Sequence, residues 1–157
     1  MRIQSAVLGA LLSLAPAFSA AQSTRQSITI AQFKKLTWFV GSWRGSGGNY
    51  PSFFEEYRLV NDSTVAMRSL SDSTFRTPTD SSFIELRNGR ITSRGGGGVF
   101  SDAVAVTDTS VRFMRRGATT GGWTFTRVNA DQWVATIHAA NPGGRETVYV
   151  MRRVRKP

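Results

Sequence analysis

From residue 41 onward, apolar residues recur at every second position, and short turn sequences interrupt the pattern at regular intervals. A period of two indicates strands that bury one face. Short connections, of which Asn88-Gly89 has the strongest hairpin signal, place successive strands side by side and antiparallel. Such a meander leaves two exposed edges unless it closes, so the pattern predicts an all-β, antiparallel, up-and-down barrel of about ten strands. The predicted strands are 42–45, 53–60, 64–70, 81–87, 90–94, 100–106, 110–116, 123–128, 133–139 and 146–154.

The residues before this region predict one short N-terminal helix. Thr29 and Gln32 have the spacing of a capping box, in which each side chain accepts a hydrogen bond from the other residue's backbone N–H. Ile28 and Phe33 flank them at the spacing of a hydrophobic staple. Gly41 is expected to end the helix, because glycine readily adopts the conformation that follows a last turn. We expect this helix to close one end of the barrel.

The first residues have the features of a secretory signal peptide. Arg2 precedes an apolar stretch at 6–17, which is too short to span a bilayer easily, and small residues end the segment at Ser19, Ala20 and Ala21. The alternative interpretation of this apolar stretch is a membrane anchor. We therefore expect a signal peptide at 1–21, a flexible leader at 22–27 and one barrel domain at 28–157. This organisation predicts export to the periplasm or the extracellular space, with no transmembrane segment left after cleavage.

The segment Gly41–Gly47 carries a Gly-x-Trp motif and resembles the opening strand of lipocalin-like (calycin) β-barrels. The longer stretch 41–51, followed by paired glutamates, is similar to the nitrobindin branch and to uncharacterised secreted bacterial barrels. The resemblance implies that Gly41 and Trp43 lie at the closed end of the barrel. It also implies that a basic side chain of the last strand, Arg152 or Arg153, covers the Trp43 indole, where a guanidinium is favourably placed. Strand alternation allows one of these arginines to point inward and the other outward.

The nitrobindin resemblance also raises haem binding and peroxynitrite isomerisation. In that family a histidine of the C-terminal strand holds the iron, but the last predicted strand, 146–154, has no histidine. His138, the single histidine, lies one strand earlier, and counting across the predicted hairpin places it opposite Trp123, on the same face. We expect it to be packed or to line the interior. No cofactor and no metal site are expected, and a haem-dependent isomerase remains an alternative.

The charge balance is strongly basic, with 20 Lys and Arg against 10 Asp and Glu and a net charge of +10. Such a charge favours anionic partners, so electrostatic binding of anionic polymers is a second alternative. The basic residues cluster only at 115–116 and 152–156, however, which is typical of a solvated outer face, and nucleic acid is not an expected partner. The chain has no cysteine, so its core must stabilise it without disulfides.

The predicted interior determines the function that we expect. Glu55 and Glu56 are neighbours on a strand and point to opposite faces, so they cannot act as one acid–base pair. Glu55 shares its face with Tyr57, and a carboxylate there needs a partner, either an inward arginine or Tyr57. The protein is expected to bind a small apolar or amphiphilic molecule without catalysis, although the aromatic side chains could instead fill the interior. The candidate ligand-binding residues are Trp43, Glu55, Tyr57, Leu59, Met67, Trp123, Trp133 and His138.

Overall fold

The computed structural model describes residues 27–98 and 100–155, so the expected signal peptide and most of the leader lie outside the described residues. The described residues contain one short helix followed by ten strands. The helical elements are α1 (Ile30–Lys35) and two 3₁₀ turns, Thr37–Phe39 and Gly96–Gly98. The strands are β1 (Gly41–Gly47), β2 (Tyr50–Asn61), β3 (Thr64–Leu70), β4 (Pro78–Arg87), β5 (Arg90–Arg94), β6 (Phe100–Thr107), β7 (Ser110–Arg115), β8 (Trp123–Asn129), β9 (Gln132–Ile137) and β10 (Thr147–Arg153).

Each strand pairs with the next one along the chain, and β1 also pairs with β10, which closes the sheet. All ten pairings are antiparallel. The predicted all-β up-and-down barrel with an N-terminal helix is therefore confirmed. At the level of architecture it fits a calycin-like barrel. In the part of the chain that the structure describes, no helix has the length and apolar character needed to cross a membrane.

The capping box that the sequence predicts starts α1. The backbone N–H of Gln32 donates to Thr29 Oγ1 at 3.2 Å, and the backbone N–H of Thr29 donates to Gln32 Oε1 at 2.8 Å. The α-helix is shorter than expected, because it ends at Lys35 and a 3₁₀ turn follows. Phe33, Leu36 and Phe39 are all buried. Their spacing of three residues matches the 3₁₀ repeat, so the tighter turn keeps Phe39 on the side that faces the barrel.

α1 lies across one end of the barrel and is tied to three of the turns that close that end. The contacts are ion pairs of Lys34 with Asp62 and of Lys35 with Asp108, each at 3.0 Å, and a hydrogen bond from Ile28 N to Gly89 O at 2.9 Å. Surface ion pairs contribute little individually. Here they fix the position of a helix whose apolar side chains enter the core. The connections at the opposite end are longer, apart from the β1–β2 turn, and this end carries no such cover among the described residues.

Trp43 occupies the centre of the closed end. Its side chain is fully buried, and its indole N–H donates to the carbonyl of Phe39 at 2.7 Å. Trp133 packs against it edge to face, with 5.8 Å between ring centroids. The resemblance implied this position for Trp43, and the helix that precedes β1 supplies the hydrogen-bond acceptor.

Arg153, and not Arg152, covers the Trp43 indole. Its guanidinium carbon lies 4.2 Å from the indole centroid, and its Nη1 donates to the carbonyl of Val40 at 3.2 Å. Nε donates to the carbonyl of Ala130 at 3.0 Å, in the turn between β8 and β9. Arg152 is adjacent to Arg153 on β10, so strand alternation places it on the outer face, where it is exposed. Gly41 begins β1 instead of only ending the helix, and its φ of +141° suits glycine at the point where Arg153 passes close to the backbone.

Candidate functional site

The interior is filled near α1 and hollow towards the other end. A cavity of about 350 Å³ occupies the hollow part. Its wall is mostly aromatic and aliphatic, with a few polar side chains. The lining residues are Phe53, Glu55, Tyr57, Met67, Asp80, Ser82, Ile84, Ser93, Gly95, Ser101, Trp123, Phe125, Trp133, Ala135, Ile137, Tyr149 and Met151. Pockets that hold small molecules have volumes of roughly 300–1,000 Å³, so this cavity is at the small end of that range.

Glu55 and Tyr57 form the polar centre of the cavity. They lie two positions apart on β2 and so share its inner face. The Tyr57 hydroxyl donates to Glu55 Oε2 at 2.8 Å. Burial raises the pKa of Glu55, and the hydrogen bond from Tyr57 partly opposes that rise. Burial and the adjacent carboxylate hold the pKa of Tyr57 well above its usual range. Of the two partners that the sequence left open for Glu55, an inward arginine or Tyr57, the structure has Tyr57.

Glu55 differs from the other carboxylates that the structure withdraws from solvent. Among the described residues, Glu55, Glu56, Glu85 and Asp102 are the buried or partly buried carboxylates. Three of them pair with arginine: Glu56 with Arg68, Glu85 with Arg87 at 3.2 Å, and Asp102 with Arg116 at 2.7 Å. No described basic side chain forms an ion pair with Glu55, whose hydrogen-bond partner is a neutral phenol. Pairing of buried carboxylates with arginine is thus the rule in this basic protein, and the cavity carboxylate departs from it.

A second carboxylate lies at the rim of the cavity. Glu55 of β2 is directly opposite Ser69 of β3, and Ser69 is directly opposite Asp80 of β4. Adjacent strands are about 4.8 Å apart, so the Cα atoms of Glu55 and Asp80 are separated by roughly 10 Å across the sheet. Because the strands of a barrel are tilted, directly paired residues on successive strands lie at different heights along the barrel axis. Accordingly Glu55 is partly buried, whereas Asp80 is exposed at the mouth.

Serine side chains supply the remaining polar groups of the wall. Ser93 of β5 and Ser101 of β6 are directly opposite each other, both are buried, and both line the cavity. Ser82 of β4 lies nearer the mouth and is partly exposed. A serine hydroxyl both donates and accepts hydrogen bonds, so these side chains suit a neutral polar group of a bound molecule.

Five of the candidate ligand-binding residues lie on the cavity wall: Glu55, Tyr57, Met67, Trp123 and Trp133. Trp43 does not. It lies below the cavity floor and packs against Trp133 in the filled part of the barrel. Its role in the structure is therefore to support the floor.

The inward placement expected of Leu59 is wrong. Its side chain is 51% exposed and does not line the cavity, although Tyr57 on the same strand is buried. Leu59 is directly opposite Val65, in the same register as Tyr57 and Met67, so the register shift that follows it does not change its face. Leu59 lies beyond the filled end of the barrel, where β2 runs into its turn.

The expected alignment of Trp123 with His138 is also wrong. Trp123 is directly opposite Ile137, because the β8–β9 pairing shifts register between Arg127 and Asn129. A shift of one residue moves a side chain to the other face. His138 therefore lies outside the cavity wall, with 17% of its side chain exposed.

On the outer side of the barrel, His138 joins two neighbouring elements. Its Nε2 is 2.7 Å from Thr124 Oγ1, and its Nδ1 is 2.6 Å from Glu146 Oε1. A neutral imidazole that donates a hydrogen bond from Nδ1 to the carboxylate accepts one from the threonine hydroxyl at Nε2. Hydroxyl, imidazole and carboxylate occur in this order in hydrolytic triads. Here the group connects β8 to the loop before β10 and does not line the cavity.

The side chains do not fit a haem in this cavity. An axial ligand must face the cavity, and His138 instead has both ring nitrogens engaged on the outer side. The cavity wall contains no histidine and no cysteine, although it includes Met67, Met151 and Tyr57. In addition, no group of three or more His, Cys, Asp or Glu among the described residues is arranged to hold a metal ion.

Sequence reasoning missed several residues of the wall. Asp80 lies just before the predicted strand 81–87, but β4 begins at Pro78 and brings it to the mouth. Ser93 and Ser101 have the inward parity of their strands, and that parity was the available signal. Phe125 and Tyr149 lie on the inward faces of predicted strands, at alternate positions to Trp123 and Met151.

Comparisons with known proteins leave the assignment at the level of architecture. No protein-family model and no curated protein matches the chain. Among solved structures, the chain is similar to a redesigned β-barrel, with 8% sequence identity and a TM-score of 0.38. The alignment covers 76% of this chain and 94% of the redesigned barrel.

Proposed function

We propose that this protein is an exported binding barrel that holds one small apolar or amphiphilic molecule in its cavity and performs no reaction on it. The observation that carries the proposal is a cavity of about 350 Å³ inside a closed barrel. Closed barrels of this size can enclose one small ligand. The features of a signal peptide at 1–21 support the exported location.

The composition of the wall supports an apolar or amphiphilic ligand. Six of the lining side chains are aromatic: Phe53, Tyr57, Trp123, Phe125, Trp133 and Tyr149. Aromatic side chains bury large areas, and walls with few polar groups suit ligands that are mostly apolar. The polar groups, centred on Glu55 and the facing serines, would orient the ligand. Histidine, cysteine and lysine, which often act as catalytic bases or nucleophiles, are absent from the wall.

Titration with N-phenyl-1-naphthylamine tests the proposal, because its fluorescence increases in apolar surroundings. We expect saturable one-to-one binding to the purified protein. Ser82→Trp places a large side chain in the mouth and should weaken binding by about tenfold or more, a loss of about 1.4 kcal/mol in binding free energy. Ser81→Trp is the matched control, since Ser81 is the adjacent residue of β4, exposed and off the cavity wall.

The control variant should bind the probe as the unmodified protein does. Binding that does not saturate, or an equal effect of both tryptophan substitutions, would reject the cavity as the binding site. Circular dichroism spectra should show that both variants keep the β-sheet signal.

A further inference from the structure

The charges of the barrel are divided between its two faces. The chain carries an excess of basic residues, yet the side chains that line the cavity include no lysine, arginine or histidine. The charged side chains on the wall are Glu55 and Asp80, and both are acidic. Arg115 is directly opposite Ser101 in the register, but it is exposed at the end of β7 and does not line the cavity. A basic exterior therefore encloses an acidic interior.

We infer that the molecule held in the cavity is a cation, an apolar or aromatic amine whose ammonium group pairs with Glu55. This inference rests on the proposed binding function and names the ligand class for the same site. Each of the other carboxylates that are buried or partly buried among the described residues has an arginine as its partner. Glu55 faces the empty space of the cavity, with Tyr57 on one of its oxygens. A bound ammonium group would supply the missing counter-charge.

The aromatic wall supports the same ligand class. Tyr57, Trp123, Phe125 and Trp133 surround the inner part of the cavity, and Phe125 and Trp133 lie 4.6 Å apart between ring centroids. Aromatic faces attract cations, and the attraction increases when the cation leaves water. A carboxylate among aromatic rings therefore favours an amine over a neutral molecule of the same shape. A fatty acid would place a second negative charge beside Glu55, which is unfavourable.

The row from Glu55 to Asp80 gives the amine a route into the barrel. Asp80 is exposed at the mouth, and Ser69 lies between the two carboxylates in the register. The arginines of the outer face repel the entering cation only weakly, because salt screens charges that are more than about 8–10 Å apart at physiological ionic strength. Asp80 would contribute modestly, as an exposed charge does, whereas Glu55 contributes to affinity in the partly desolvated interior.

The test compares three naphthalenes that differ only in their polar group: 1-naphthylmethylamine (a cation at pH 7), 1-naphthylmethanol (neutral) and 1-naphthoate (an anion). Isothermal titration calorimetry gives the affinity of each for the purified protein. A hydrogen bond to a charged group contributes about 1.5–3 kcal/mol, so the amine should bind about 10- to 100-fold more tightly than the alcohol. The carboxylate should bind more weakly than the alcohol.

Glu55→Gln removes the charge but keeps an oxygen that accepts the Tyr57 hydroxyl. In this variant the affinities of the amine and the alcohol should differ by less than about threefold. Asp80→Asn should weaken amine binding by about two- to fivefold, in line with an exposed charge. Asp62→Asn is the control, since it removes one negative charge from the closed end, where Asp62 pairs with Lys34.

The outcomes separate this inference from the proposed function. If none of the three compounds binds saturably, both are rejected. If they bind but the amine has no advantage, the binding function stands and the amine assignment is wrong. If the advantage persists in Glu55→Gln, the pairing of the ammonium group with Glu55 is wrong. Should Glu55→Gln fail to fold, the ranking of the three compounds on the unmodified protein decides the matter.

Discussion

Replacing Trp43 with alanine is expected to lower the free energy of unfolding by about 3–5 kcal/mol, the usual cost of removing a large aromatic side chain from a core. Trp43 is fully buried, contacts Trp133 and lies under the Arg153 guanidinium. Its loss would also leave the Phe39 carbonyl without the indole donor. Small domains are stabilised by only about 5–15 kcal/mol, so this substitution removes a large share of the total.

A pair of milder substitutions isolates the hydrogen bond. Trp43→Phe keeps an aromatic ring but removes the N–H that donates to Phe39, which should cost about 1–3 kcal/mol in addition to the change in packing. Trp38→Phe is the matched control, because the Trp38 indole N–H is buried at the same end and has no partner among the described residues. Removing that N–H should cost much less.

Urea denaturation followed by far-ultraviolet circular dichroism measures these changes without depending on tryptophan fluorescence. The reasoning fails if Trp43→Ala costs less than about 1 kcal/mol, which is typical of surface substitutions. It also fails if Trp43→Phe and Trp38→Phe have equal effects. Coupling between Trp43 and Arg153 can be measured with a double-mutant cycle, in which Arg153→Met removes the guanidinium; we expect about 0.5–2 kcal/mol.

Three further predictions concern other parts of the chain. Gly122 has a φ of +86°, and a Cβ there would meet the carbonyl oxygen of Phe113, so Gly122→Ala should lower the urea midpoint, and an unchanged midpoint would contradict this geometry. The hydrogen bond from Arg116 holds the pKa of Asp102 below its usual range, so this pair stabilises the fold above the unfolded-state pKa of about 3.9 and the contribution disappears as pH falls through the folded-state value. Asp102→Asn should therefore lose less stability than the unmodified protein on acidification to about pH 2, as thermal melts would show. Mass spectrometry of exported protein should find an N-terminus at or within a few residues of Gln22, and an intact Met1 would contradict the predicted cleavage.

The strand count, the hairpins and the closed architecture were predictable because they depend on local alternation and turn residues. Asn88-Gly89, for example, joins β4 and β5 as its turn signal indicates. Which of Arg152 and Arg153 covers Trp43 was not predictable. Strand alternation requires that the two side chains point to opposite faces, but it does not determine which one points towards Trp43. The contacts of Arg153 with Val40 and Ala130 make the choice, and both come from distant parts of the chain.

The site was predictable only in part, for two physical reasons. A register shift of one residue changes which residues share a face, and the shift near Val128, which places Trp123 opposite Ile137, carries no clear mark in the sequence. The existence of a cavity depends on how all the inward side chains fill a shared volume, which no single strand determines. Glu55 and Tyr57 were recognisable because two polar residues at alternate positions of an otherwise apolar face require each other as partners.

The pairing of β1 with β10 has a consequence for the order in which the molecule can be assembled. Because Arg153 of the last strand covers Trp43 of the first, a ribosome has made almost the whole described chain before the ring of strands can be joined. Until then the growing sheet has an unpaired strand at each edge, and Arg153 does not yet cover the Trp43 indole. Contacts between such distant residues form slowly. This order would suit the export proposed above, since the finished barrel forms only after the first and last strands have arrived in the same compartment.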